Sequence, residues 1–113
     1  MFKVFEHGKQ LSEGLERSAI AFQSTAQKLG YSPFEAHDVV RVFRAFATVA
    51  ERENVPLVSL ERQASGFNLP KLALIAPLVQ RAPGNWAYWL DMAESLPLQD
   101  LVGPVRQALR EAA

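Results

Sequence analysis

Apolar residues recur every three or four positions along nearly the whole chain, which is the period of an α-helix. Leu11, Leu15, Ala19, Phe22, Ala26 and Leu29 form one such stripe, with Glu13, Glu16, Arg17, Gln23 and Lys28 on the rest of the wheel. The pattern predicts an amphipathic helix over 11–29. Ser12 stands where an N-cap belongs, and Gly30 stands where a glycine ends a helix. Ser32-Pro33 opens a second helix, with Ser as the cap and Pro in the first turn, where its missing N–H costs nothing. Val39, Val42, Phe43, Phe46, Val49 and Ala50 give this helix a broad apolar face. His37, Arg41, Arg44, Thr48 and Arg52 line the opposite side. Asn54 and Pro56 stop it, because the residue before a proline avoids the α region.

A short third helix fits 57–64 and halts at Ser65-Gly66. Asn68 caps a fourth, which has Pro70 in its first turn and is apolar all round: Leu69, Leu72, Leu74, Ile75, Leu78 and Val79. Such a helix belongs at the centre of a core or beneath a partner, and Pro77 should bend it. Asn85 caps a fifth helix carrying Trp86, Trp89, Leu90 and Ala93, broken by Leu96-Pro97. The last helix covers about 98–112, with Leu98, Leu101, Val102, Val105 and Leu109 inward. Gly103-Pro104 leaves two options, one continuous helix or a turn followed by a helix. The first ten residues differ. Phe2, Val4 and Phe5 are apolar without a helical period, and His7-Gly8 interrupts them. This segment reads as a short strand, or as an arm laid on the core or on a second copy. The expected architecture is therefore all-α: an arm at 1–10, then one domain over 11–113. That domain is a compact bundle of five or six short helices packed around the fourth.

Composition narrows the function classes. The 113 residues match one domain. Twelve Lys plus Arg balance twelve Asp plus Glu, which excludes a strongly basic nucleic-acid clamp and an acidic DNA mimic alike. There is no cysteine, hence no disulfide framework, thiolate metal site or cysteine nucleophile. No apolar run reaches the ~18 residues of a membrane span, and the N-terminus lacks a signal-peptide apolar block. A cytoplasmic protein without membrane contact is expected.

Groups that could converge for catalysis are scarce. His7 and His37 are far apart in sequence, and no histidine pair has a metal-ligand spacing of the HExxH kind. Asp91 and Glu94 are three apart on one helix and read as a solvated face. The six glycines are scattered and read as helix punctuation, apart from Gly14 inside the first helix. No enzyme activity, cofactor or metal is expected. A second surface is defined by charge. From Arg62 to Leu90 no residue is acidic, while Arg62, Lys71 and Arg81 are basic. Within that stretch lies the aromatic cluster Asn85-Trp-Ala-Tyr-Trp89. Cations interleaved with aromatics can hold single-stranded nucleic acid by stacking. Trp86 and Trp89, three apart, also make one buried face, which leaves Tyr88 as the exposed ring.

The segment Ala26-Gln-Lys-Leu29-Gly30-Tyr31-Ser32-Pro-Phe-Glu-Ala36-His-Asp-Val39 resembles the helix-turn-helix of DNA-binding proteins. Ala26 packs helix on helix, Gly30 turns, Ser32 caps, and Ala36 and Val39 hold the second helix down. The resemblance implies a helix-turn-helix over 19–44 that touches DNA through Ser32, His37, Arg41 and Arg44, with Arg62, Lys71 and Arg81 as further phosphate contacts. The exposed start of its second helix departs from the pattern. It carries Phe34, which is not a usual base reader, and Glu35 and Asp38, which repel phosphate.

The C-terminal half runs from Ser65-Gly-Phe-Asn-Leu-Pro-Lys-Leu through Trp86-Ala-Tyr-Trp89-Leu-Asp-Met-Ala-Glu-Ser-Leu to Leu101-Val-Gly-Pro-Val-Arg. It is similar to a small helical module of phage, plasmid and HNH-endonuclease-linked proteins, which implies a DNA-processing or mobile-element setting. Two functions follow. One is a small, non-enzymatic DNA-associated regulatory module of helix-turn-helix type, binding duplex DNA as a homodimer. The other is a protein-interaction module (adaptor, inhibitor or oligomerisation domain) with no nucleic-acid binding. It would meet another protein, or a second copy, through Phe2, Val4 and Phe5 of the arm or through the apolar fourth helix, with Tyr88 as a further contact.

Overall fold

The computed structural model describes residues 4–64 and 66–112. Among them the chain forms seven α-helices: α1 (Val4–Arg17), α2 (Ala19–Leu29), α3 (Pro33–Arg52), α4 (Leu57–Ala64), α5 (Leu69–Arg81), α6 (Trp86–Ser95) and α7 (Leu98–Ala112). A single 3₁₀ turn, Pro83–Asn85, leads into α6. The all-α bundle is as expected, with more helices than the five or six the pattern suggests.

The extra helix comes from Ser18. Its backbone is extended (φ −174°, ψ 162°), and its side chain accepts a hydrogen bond from the Ala21 amide at 3.0 Å. Ser18 is thus an N-cap, and it divides the expected 11–29 helix into α1 and α2. Ser12, the expected cap, instead sits inside α1, buried, where its Oγ accepts from Arg44 Nε at 3.2 Å. The expectation of an arm or strand at 1–10 is corrected from residue 4 onward, because Val4 to Gln10 are the first turns of α1. Val4 and Phe5 face inward there, and the Phe5 ring lies 5.5 Å from that of Phe46. Fully burying such side chains is worth about 1.5–3 kcal/mol each relative to exposure, enough to draw the segment into the helix.

His7-Gly8 is not an interruption. A Cβ on Gly8 would overlap that of Phe43 and come within 3.1 Å of the Val39 carbonyl oxygen, so the missing side chain lets α1 lie against α3 at backbone range. Gly14 does the same for the start of α2, where a Cβ would stand 3.3 Å from the Ala21 carbonyl.

The core centres on α3 rather than on the fourth predicted helix. Ala36, Val39, Val42, Ala45, Phe46 and Val49 are sealed between α1 on one side and α5 on the other. The apolar α5 buries Leu72, Ile75, Ala76 and Val79, while Pro70, Leu74 and Pro77 stay partly open to solvent. Helix α7 runs unbroken through Gly103-Pro104. Asn85 makes no side-chain cap to α6; the 3₁₀ turn performs the entry instead.

Candidate functional site

The α2–turn–α3 unit forms as its spacing predicts. Gly30 closes α2 in the left-handed region (φ 85°, ψ 21°), and its amide points back to the last α2 carbonyls. The Ser32 hydroxyl accepts from the Glu35 amide at 3.2 Å, and Glu35 Oε1 accepts from the Ser32 amide at 3.1 Å, a complete capping box. Tyr31 turns inward from the corner, its hydroxyl 2.7 Å from His7 Nδ1 on α1. Burial, with the Glu35 carboxylate adding to it, raises the Tyr31 phenol above its ordinary pKa of 10.

Most of the groups expected to meet phosphate make contacts within the chain. Ser32 caps α3. The His37 ring lies over Phe22, centroids 4.6 Å apart. Arg41 faces Asp38 at 3.4 Å, an exposed pair of small energetic weight. Arg44 donates to Ser12. Lys71 Nζ donates to the Ala93 carbonyl at 2.7 Å and so ties α5 to α6. Arg62 lies exposed on α4, and Arg81 lies exposed at the end of α5. Lys71 and Arg81 are ten residues apart on one helix, about 15 Å along its axis. The structure therefore does not gather these two cations against one phosphate.

The expected partner-binding residues separate as well. Val4 and Phe5 belong to the core and cannot form a partner surface in this conformation; Phe2 lies outside the described residues. Tyr88 is exposed, as its position suggested, with its ring edge-on to buried Trp89 at 5.0 Å.

Two apolar surface features stand out instead. Ile20 on α2 is 79% exposed, and Phe34 in the first turn of α3 is 86% exposed. A hollow of about 300 Å³ lies between those helices, lined by Phe22, Gln23, Ala26, Gln27, Tyr31 and Pro33. The second feature is a groove of about 480 Å³ where α3, α5 and α7 meet, floored by aliphatic side chains and prolines. The apolar pattern all round α5 points to a core or a covering partner but does not locate this groove. Its signal was the repeat Pro70, Leu74, Pro77 at spacings of four and three, a row on one face of the helix.

Among the described residues, no cluster of three His, Asp or Glu side chains could hold a metal ion, and no helix is long and apolar enough to cross a membrane. Compared with protein-family models, curated proteins and solved structures, the chain matches none.

Proposed function

We propose that this chain is a protein-interaction module rather than a reader of nucleic acid. The observation that carries this reading is the surface of the α2–turn–α3 unit. Where a recognition helix would offer cations and hydrogen-bond donors to DNA, α3 begins with the exposed ring of Phe34 beside Glu35 and Asp38. Of its nearest cations, Arg44 donates to Ser12, and Arg41 faces Asp38 rather than open solvent alone. Large exposed apolar side chains next to an apolar hollow mark a surface that another protein covers. A homodimer through an exchanged N-terminal arm is not part of the proposal, because Val4 and Phe5 pack into their own chain. A mobile-element setting, implied by the C-terminal resemblance, accommodates such a module as an accessory that binds another protein.

A fluorescence-anisotropy titration of the full chain with generic duplex DNA tests this. The expected result is no binding at low or high salt. Binding that falls steeply as salt rises, and is lost in the double variant Arg41→Ala, Arg44→Ala, overturns the reading in favour of the helix-turn-helix.

A further inference from the structure

We infer that the groove between α3, α5 and α7 is a docking site for an amphipathic helix of a partner protein, one whose apolar stripe is flanked by Asp or Glu. This inference rests on the protein-interaction reading and names the site and the chemistry of the partner.

Shape gives the first argument. Along α5 the wall is Pro70, Leu74 and Pro77; along α7 it is Leu98, Val102 and Leu109. At about 1.5 Å per residue the first row runs about 10 Å and the second about 16 Å. Two apolar rows of that length match a helix of two to three turns, anchored by residues at i, i+3 or i+4, and i+7. The lining is aliphatic and proline-rich and includes no aromatic ring on which a base could stack.

Charge gives the second argument and selects the occupant. Arg41 lines the groove from α3. Arg81 follows Pro77 by four residues and Leu74 by seven, so it continues the α5 row, and it is exposed. Arg106 follows Val102 by four and precedes Leu109 by three, so it borders the α7 row, and it too is exposed. Against these cations stands one acidic lining residue, Asp38, already paired with Arg41. Helix α5 contains no acid at all. Asp100 and Glu111 of α7 each lie two residues past a row position, about 200° round the helix and away from the groove. The charges of the lining itself, Arg41 and Asp38, cancel, and the two exposed arginines bordering the rows, Arg81 and Arg106, make the edge of the apolar floor cationic. A second copy docking groove to groove would set arginine against arginine, whereas an acidic amphipathic helix meets complementary charge along both walls.

The probe is a labelled peptide of about four helical turns, designed with Leu at i, i+3 or i+4, and i+7 and Glu beside that stripe. It is titrated by anisotropy against the full chain. A Lys-for-Glu version and a scrambled version serve as controls. The Glu peptide should bind saturably and at least ten-fold more tightly than either control. Leu74→Asp should weaken it at least ten-fold. The double variant Arg81→Glu, Arg106→Glu changes only exposed side chains, so it keeps the test open if Leu74→Asp fails to fold; it should shift preference to the Lys peptide. Tyr88→Ala, which is not part of the groove lining, should leave binding unchanged. No binding of the Glu peptide, equal binding of all three peptides, or binding indifferent to the arginine reversal overturns the groove assignment. Any of these results, in a chain that also ignores duplex DNA, removes the groove and leaves the interaction reading standing. Salt-dependent duplex binding removes that reading itself.

Discussion

Around α3 the chain builds two seams by opposite means. On one side α1 comes in at backbone range, because Gly8 has no side chain to hold it away from Phe43 and Val39. On the other, α5 and α7 turn Pro70, Leu74, Pro77, Leu98, Val102 and Leu109 toward a shared surface that does not close. Deleting a side chain yields a close backbone approach at that point. At the outer edge of the second seam, beyond the packed α3–α5 contact, large side chains leave apolar surface within reach of a partner. At Gly8 and Gly14 the N-terminal packing is set by missing side chains, whereas the edge between α5 and α7 is set by large ones.

If the C-terminal half coheres through large side chains, its most damaging change is the loss of one. Trp89 is buried on α6 beside Leu90 and Ala93. Trp89→Ala should cost about 3–5 kcal/mol, from lost transfer energy and the cavity left behind. A shift in denaturation midpoint worth less than about 1 kcal/mol would place Trp89 outside the packing that holds α6. The N-terminal seam should fail in the opposite direction. Gly8→Val adds volume where none is free, and overpacking of this kind costs about 1–3 kcal/mol. An unchanged urea midpoint would show that α1 and α3 do not approach as closely as the comparison requires.

The turn between α2 and α3 is a third test, of smaller effect. Nothing lies within 4 Å of the Cβ that would be added at Gly30, so only its positive φ resists a side chain. Gly30→Val should cost more than about 1 kcal/mol through backbone strain alone. Wild-type stability in that variant, read by thermal melting, would mean that the turn tolerates a different conformation.

What could be read from the sequence follows the same division. Helices bounded by strong local chemistry were legible: Gly30 as the end of α2, Ser32-Pro33 as the start of α3, and Asn68 as the cap whose side chain accepts from the Lys71 amide at 3.1 Å. Local signals fail where a tertiary contact decides. Gly8 reads as a helix interruption until Phe43 is seen against it. Ser12 reads as the N-cap, but its Oγ is taken by the Arg44 side chain 32 residues away, and Ser18 caps α2 instead. The interaction surface was legible in part. Phe34 stood out as a poor base reader, and the Asp38–Arg41 pair is a local i, i+3 contact, but the exposure of Phe34 and the engagement of Arg44 depend on long-range packing. The groove was legible only as a choice, since the apolar fourth helix reads as core or as partner-covered, and an apolar residue facing solvent across a gap has the same pattern as one facing the core.

The smallest effect tests the polar tie across the tight seam. Tyr31 leaves the corner after α2 and meets His7 on α1 through a 2.7 Å hydrogen bond, with the two rings edge-on at 5.5 Å. Tyr31→Phe keeps the ring and its packing and removes only the hydroxyl, so it should cost about 0.5–1.5 kcal/mol, the net worth of one intramolecular hydrogen bond. The same variant should change how stability depends on alkaline pH. The folded protein holds the Tyr31 phenol above its ordinary pKa, by burial first and the Glu35 carboxylate second. Above pH 10 the unfolded chain releases that proton more readily than the folded one, so the folded state binds the extra proton and stability declines as pH rises through the folded pKa. Below pH 10 this contribution is fully present. Urea midpoints from pH 8 to 11 should therefore fall in the wild type and fall less steeply in Tyr31→Phe, since the variant has no phenol to titrate at that position. Parallel curves would show that Tyr31 ionises as freely in the fold as in the unfolded chain, and that its hydroxyl is not secured against α1.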